Sequence, residues 1–270
     1  MLAVLSSLPM PPVSSMSTEV TEPHSRLLRC SLCVPEARAY WAHVDVEAPE
    51  TSGARAFQES WFGAKSEDWT TELLTNMQAR FAAFPTALRV LARWSDMSAD
   101  TRRLICHWHL QLTDPLYRQF TGEYLPDRVR SLRGELNRNA VVQWVAEHGL
   151  ARWALKTQLQ YASRLLSCAL AAGLLRGRRD PREIVAPRVP DDALTYLFYL
   201  LRGIVFRGSL VDNPYLASVQ LDGVLLADRL RMLPALEFRR AGDVVDFEWR
   251  HPDLEAWAQT RAHTPAEHRA

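Results

Sequence analysis

Lysine is nearly absent from this sequence of 270 residues: of 32 basic residues only Lys65 and Lys156 are lysines, and the others are arginines. A GC-rich genome produces such a bias, and arginine also makes bidentate contacts with phosphate and guanine that lysine cannot make. The net charge is only +1, so overall charge gives no argument for nucleic-acid binding. Such a function must therefore depend on where the charges lie along the chain.

Cysteine is also scarce, with Cys30, Cys33, Cys106 and Cys168 spread along the chain. Four scattered cysteines exclude a disulfide framework and predict a reducing cytoplasm as the location. Cys30 and Cys33 have the CxxC spacing of half a zinc site or of a redox pair. Because no second CxxC and no HxxxH lies nearby, we interpret them as small buried or partly exposed thiols, and we predict no metal.

The histidines His107 and His109 lie close together in the sequence "CHWHL". Residues two apart on a helix point in different directions, so this pair is a poor chelator of one ion. We therefore predict that His107 and His109 lie at the edge of the hydrophobic core and are not metal ligands.

Long apolar runs are missing as well. No segment reaches the roughly 18 to 20 unbroken apolar residues of a membrane span, so we predict no membrane partner. The N-terminus has no basic region, and prolines interrupt its short apolar start, which excludes a signal peptide. We predict a disordered tail over residues 1–24 and a frayed end over 263–270, and the start codon is left open between Met1, Met10 and Met16.

Catalytic signatures are absent too. The sequence has no GxxxxGK[ST] phosphate loop, no GxGxxG after a strand and no GxSxG nucleophile elbow. Its acids form no cluster with a nearby lysine of the kind that holds a nuclease metal. We predict a protein that is not an enzyme and uses no cofactor.

Helical periodicity is what the sequence has most of. Ser66 and Ser98 are expected N-caps of two helices, and Pro85 starts another. "ALEFRRAGDVVDFEWR" alternates around Ala241-Gly242-Asp243, which predicts a hairpin. The predicted fold is mainly α: a helical bundle over 25–135, then a winged-helix-like C-terminal part over 136–262 packed on that bundle, with one or two short β-hairpins.

Charge is distributed unevenly along this fold. Residues 35–75 contain eight acids and three bases, whereas residues 151–189 contain eight bases and two acids. The basic stretch begins as an amphipathic helix that Thr157 is expected to cap and Gly173 to end. At about 100° per residue its apolar residues gather in one arc and its polar residues in the opposite one. The apolar arc holds Leu159, Ala162, Leu165, Leu166, Ala169 and Leu170, and the polar arc holds Gln160, Tyr161, Arg164, Ser167 and Cys168.

The turn-rich sequence "GRRDPR" follows this helix, between two short apolar pieces, and predicts a two-stranded ribbon. A helix, a short connection, an amphipathic helix and a basic ribbon follow the order of a winged helix-turn-helix. In such a module one helix enters the major groove of DNA and the wing contacts the backbone. The predicted DNA-binding residues are Arg152, Lys156, Thr157, Gln160, Tyr161, Arg164, Ser167, Arg176, Arg178, Arg179, Arg182 and Arg188.

Within this set the expected roles differ. Gln160 and Arg164 are predicted to read base edges, and Tyr161 and Ser167 to pack on sugar and phosphate. The wing arginines are predicted to position the duplex. The alternative interpretation is that these arginines are simply solvated.

Four segments together resemble the BrxA family, the small helical component encoded with bacteriophage exclusion (BREX) systems. They are "RCSLCVPEARAYW", "YASRLLSCALAAGLLRG", "IVAPRVPDDALTYLFYLLRG" and "SLVDNPYLASVQLD", and the similarity runs from about residue 26 to 258. The resemblance implies a mostly helical, non-catalytic protein with helix-turn-helix character that binds double-stranded DNA. It also implies work beside other BREX components: a methyltransferase, an ATPase and a phosphatase-like protein.

Other functions stay open at this point. The family's likeness to RNA-binding antitermination factors keeps RNA as a ligand. A protein-interaction adaptor would use its acidic and basic faces to dock different complex members, and a transcription regulator would prefer its own promoter.

Overall fold

The computed structural model describes residues 16–242 and 244–262. The frayed end predicted over 263–270 and the first fifteen residues of the predicted tail lie outside this part. The predicted mainly helical fold is confirmed. The helices are α1 (Val34–His43), α2 (Gly53–Gln58), α3 (Glu67–Phe81), α4 (Pro85–Arg93), α5 (Ala99–Thr113), α6 (Pro115–Gln119), α7 (Leu125–Arg130), α8 (Arg138–His148), α9 (Leu155–Ala172), α10 (Asp191–Arg202), α11 (Pro214–Ala217), α12 (Gly223–Met232) and α13 (Leu254–Ala262).

Short strands connect parts of this helical framework. They are β1 (Ser17–Thr18), β2 (Glu135–Leu136), β3 (Leu175–Arg176), β4 (Arg182–Ile184), β5 (Ile204–Val205), β6 (Leu236–Ala241) and β7 (Val244–Trp249). β1 pairs in parallel with β5, β6 pairs antiparallel with β7, and the third sheet has the order β2-β4-β3. The predicted hairpin at residues 241–243 is therefore confirmed as β6–β7.

Local capping residues set several helix starts. The side chains of Ser66 and Ser98 accept the backbone N–H groups of Trp69 and Thr101, as the sequence predicted. Asp114 does the same for α6. These bonds satisfy helix donors that would otherwise lack a partner, and so fix where α3, α5 and α6 begin.

Helix α5 lies at the centre of the core. It packs against α1, α3, α6, α9 and α10, and its residues from Leu104 to Thr113 are buried. The prediction that His107 and His109 lie at the core edge was wrong, since both are fully buried. Burial lowers the pKa of each imidazole to about 3. Both are therefore neutral residues of the core.

Hydroxyl groups hold these two rings in place. His107 lies 2.8 Å from the Tyr117 hydroxyl and 2.9 Å from the Ser218 hydroxyl, so both of its ring nitrogens have a partner. His109 lies 2.7 Å from the Tyr196 hydroxyl. The histidines thus join α5 to α6, α10 and the end of α11.

Residues 16–24 lie against the fold, so the predicted disordered tail extended too far. β1 pairs with β5, and the Val20 N–H donates to the Leu112 carbonyl at 2.8 Å. The carboxylate of Glu19 is buried, accepts the Tyr215 hydroxyl and lies 3.6 Å from the guanidinium of Arg118. A buried acid with these partners attaches the N-terminal segment to the bundle.

Among the helices of the described residues, none combines the length and the apolar content that crossing a bilayer requires.

Candidate nucleic-acid interface

The basic stretch lies in a compact run of elements from β2 to β4. The strands β3 and β4 form an antiparallel hairpin, with Leu175 opposite Ile184 and Arg176 opposite Glu183. This is the ribbon that the sequence predicted. The sequence did not predict that β2 pairs antiparallel with β4 on its other side, with Leu136 opposite Arg182. The pairing brings the chain just before α8 back to the hairpin that follows α9.

The sequence predicted how helix α9 begins and ends, and the structure confirms only the C-terminal end. Its N-cap is Ala154, which makes no side-chain cap bond, so the prediction that Thr157 caps the helix was wrong. Thr157 instead lies in the first turn and is half-buried. The helix ends at Gly173, whose φ of 80° is in the left-handed region, as the sequence predicted.

The outward face of α9 carries four of the predicted residues. Lys156, Gln160, Arg164 and Ser167 are exposed, whereas the apolar arc of the helix is buried or half-buried. The Ser167 hydroxyl donates within the helix to the Ser163 carbonyl at 2.8 Å. Lys156, Gln160 and Arg164 therefore offer polar groups on this face that have no hydrogen-bond or ion-pair partner among the described residues.

Tyr161 does not belong to that face, and its predicted contact with DNA was wrong. Its side chain is fully buried, and its hydroxyl donates to the Asp114 carboxylate at 3.1 and 3.2 Å. The ring packs on Trp153 with 4.7 Å between centroids. Because α9 lies between α5 and α8, its buried arc is wider than its apolar residues alone suggest. Cys168, assigned to the same polar arc, is also buried.

The substitution Tyr161→Phe separates a structural role from DNA contact. We expect it to lower the free energy of unfolding by about 1–2 kcal/mol, because the buried Asp114 carboxylate loses a donor. Duplex affinity should stay unchanged in a binding titration. The matched variant Gln160→Ala should instead lower duplex affinity. Its free energy of unfolding in urea should stay within about 0.5 kcal/mol of the wild-type value. A Tyr161→Phe protein that is stable but binds DNA poorly would contradict this assignment.

The hairpin carries the exposed arginines. Arg176 pairs with Glu183 at 3.1 Å, both of them exposed. Arg178 and Arg179 are exposed and form no ion pair within the described part of the chain. Arg182 differs, since its side chain is only 17% exposed and its Nε lies 3.4 Å from Asp180. The positive charge that a ligand can reach therefore belongs mainly to Arg178 and Arg179.

Arg152 and Arg188, the first and last residues of the predicted set, are both exposed. Arg152 precedes α9, and Arg188 follows β4 before α10 begins. Gly173 thus connects α9 directly to the hairpin, whereas Arg152 lies in the connection between α8 and α9 and Arg188 lies beyond β4.

Two further arginines lie next to the hairpin and were missed from the sequence. The Gly134 carbonyl accepts the Ile184 N–H at 2.7 Å, which places the exposed Arg133 beside β4. The Arg138 N–H donates to the Asp180 carboxylate at 2.7 Å. The available signal was the sequence "RVRSLRGELNR" at 128–138, which has four arginines and one acid.

Within residues 16–242 and 244–262, no group of three or more His, Cys, Asp or Glu side chains is arranged to hold a metal ion.

Comparison with known proteins identifies the family. The sequence model of BrxA matches residues 26–198, which is more than half of the chain. The chain belongs to the BrxA family. The predicted resemblance is thereby confirmed over residues 26–198, which include the whole run from β2 to β4, whereas its predicted extension to residue 258 lies outside the match. Membership of the BrxA family suggests a BREX-associated role in antiviral defence.

Solved structures add a likeness of fold. The chain is similar to the crystal structure of an uncharacterized protein from Magnetospirillum magneticum, with a TM-score of 0.53 and 16% sequence identity. The similarity covers 68% of this chain and 99% of that one. No curated protein matches the chain.

Proposed function

We propose that this member of the BrxA family is a non-catalytic, cytoplasmic accessory protein of a BREX defence system that binds double-stranded DNA. Helix α9 would contact the major groove, and the β3–β4 hairpin would contact the phosphate backbone. The observation that carries the proposal is that α9 exposes Gln160 and Arg164, and that the hairpin directly after it exposes Arg178 and Arg179 without ion pairs among the described residues.

The order of the elements supports a winged helix-turn-helix. α8 and α9 are followed by a hairpin, and a strand before α8 joins the same sheet in the order β2-β4-β3. In winged modules of this kind the second helix reads base edges and the hairpin holds the backbone. Arginine suits both tasks, because its planar guanidinium binds guanine or phosphate in a bidentate manner.

A titration series tests the proposal. Duplex DNA, single-stranded DNA and RNA of equal length are titrated at several salt concentrations. We expect duplex binding with little sequence preference and a log–log salt slope of about −0.9 for each phosphate neutralised. Tighter binding of RNA than of duplex DNA would indicate that RNA, not duplex DNA, is the ligand. No binding at physiological salt would exclude nucleic-acid binding as the function.

A protein-interaction adaptor is the second candidate function. Val224, Leu225 and Met232 of α12 are 75%, 63% and 76% exposed, which is unusual for large apolar side chains. They would dock another BREX component, with the methyltransferase, the ATPase and the phosphatase-like protein as the proposed partners. An adaptor without DNA function should retain none of the nucleic acids in the titration above.

A further inference from the structure

The CxxC segment, residues 30–33, ends at the N-terminus of α1. Cys33 is the N-cap of that helix, with a φ of 49° in the left-handed region. It is partly exposed, whereas Cys30 is buried. The Cys30 thiol donates to the Ser31 carbonyl at 3.6 Å, and the Ser31 hydroxyl lies 3.5 Å from the Cys33 sulfur, so Ser31 contacts both sulfurs. The segment therefore holds one accessible sulfur next to one enclosed sulfur.

The guanidinium of Arg80 organises this segment from the inside. It donates to the carbonyls of Leu32 and Ser31 at 2.9 Å each and lies 3.7 Å from the Cys30 sulfur. Arg80 is buried, and in the described residues it forms no ion pair with a carboxylate. A buried cation without an anion in direct contact is costly. A thiolate in the CxxC segment is an anion that would offset this cost.

Cys33 is the thiol best suited to become that anion. The neighbouring Cys30 thiol lowers the pKa of Cys33, and the Ser31 hydroxyl and the Arg80 charge lower it further, against the effects of burial and of Glu36. The other thiols have raised pKa values. In Cys30 the cause is the neighbouring Cys33 thiol and then burial, and in Cys106 and Cys168 it is mainly burial. Only the partly exposed thiol is thus primed for reaction with an electrophile.

We propose that Cys33 and Cys30 are a peroxide-sensitive dithiol that closes reversibly to a disulfide. The Cys33 thiolate attacks a hydroperoxide, the O–O bond breaks, and Cys33 becomes a sulfenic acid while an alcohol or water leaves. The Cys30 sulfur then attacks the Cys33 sulfur. The S–O bond breaks as the S–S bond forms, and the departing hydroxide takes the Cys30 proton as water. Two thiols and one peroxide thus give one disulfide, one water and one alcohol or second water.

The position of this dithiol connects it to α9. The helical turn Arg26–Leu28, which precedes the CxxC segment, packs on α9, and Arg80 binds the Leu32 carbonyl of the segment itself. Ring closure between residues 30 and 33 must therefore be accommodated next to α9.

Peptide mapping of the wild-type, full-length protein tests the proposal. Trypsin cleaves after Arg29 and Arg38 and so releases both CxxC cysteines in one peptide, while Cys106 and Cys168 fall in other peptides. After hydrogen peroxide treatment and alkylation, we expect peptide 30–38 to lose two hydrogens and resist alkylation, and dithiothreitol to restore both thiols. Oxidation of Cys106 or Cys168 first, or an unchanged peptide 30–38, would overturn the proposal.

Two variants assign the steps, and a third is their control. Cys30→Ser should accumulate a Cys33 sulfenic acid that dimedone traps. Cys33→Ser should lose at least about tenfold in the peroxide reaction rate of this segment, because the primed thiol is gone. Cys106→Ala, which removes a buried thiol, should oxidise like wild type. Equal rates for Cys33→Ser and wild type would show that Cys33 is not the attacked residue.

Discussion

The triple substitution Arg176→Glu, Arg178→Glu, Arg179→Glu in the β3–β4 hairpin is expected to abolish duplex binding at physiological salt. The affinity should fall on the order of 100-fold or more, because attraction to phosphate is replaced by repulsion. The log–log salt slope should become shallower by about 2, since Arg178 and Arg179 would no longer neutralise phosphates, whereas Arg176 is already paired with Glu183. Fluorescence titration at several salt concentrations measures both quantities.

Two control variants make this result specific. The double variant Arg178→Glu, Arg179→Glu leaves the ion pair of Arg176 with Glu183 intact and should lose most of the same affinity. The triple variant Arg239→Glu, Arg240→Glu, Arg250→Glu changes the net charge equally on and after the β6–β7 hairpin and should bind nearly as well as wild type. An unchanged duplex affinity and salt slope in the hairpin triple variant would exclude the β3–β4 hairpin as the DNA-binding site.

Acidification is expected to destabilise the protein steeply below about pH 6.5. The folded-state pKa values of His107 and His109 are lowered to about 3 by burial, so between about pH 6.5 and pH 3 the unfolded chain binds more protons than the folded one. Stability is therefore complete above the unfolded pKa and is lost as the pH falls. From about pH 7.5 to pH 5 each histidine should cost about 2 kcal/mol, which guanidinium unfolding at the two pH values measures.

The buried Asp114 carboxyl group modifies this dependence of stability on pH. Burial raises the pKa of Asp114, so its protonation favours the folded state in acid and offsets part of the loss. His107→Gln should remove about half of the pH dependence whatever it does to stability at neutral pH. A wild-type stability that is flat from pH 7.5 to pH 5 would contradict the buried neutral histidines.

The helical framework was predictable from local signals in the sequence. Ser66 and Ser98 cap helices where the pattern of a polar residue before an amphipathic run indicated, and Gly173 ends α9. These features depend on bonds to residues three or four positions away, so nearby sequence contains them. The alternation around residues 241–243 predicted the β6–β7 hairpin for the same reason.

Features that depend on distant packing were not predictable in this way. β2 has only two residues, too few for a pattern, and exists through its pairing with β4. Tyr161 has an apolar ring and a polar hydroxyl, so the projection of a single helix could not show that its partner Asp114 lies inside the core. The local excess of arginine over acid in the sequence predicted the exposed arginines of the candidate site. The ion pairs of Arg176 and Arg182 could be found only from the folded structure.

The pairing of β1 with β5 also orders events during synthesis. Ser17 and Thr18 leave the ribosome among the first residues, yet their strand partners Ile204 and Val205 are made only after three quarters of the chain. The same holds for Glu19, since Tyr215 is made later still. The segment that is translated early is therefore placed late, and a nascent chain stalled before β5 must keep it unpaired outside the growing bundle.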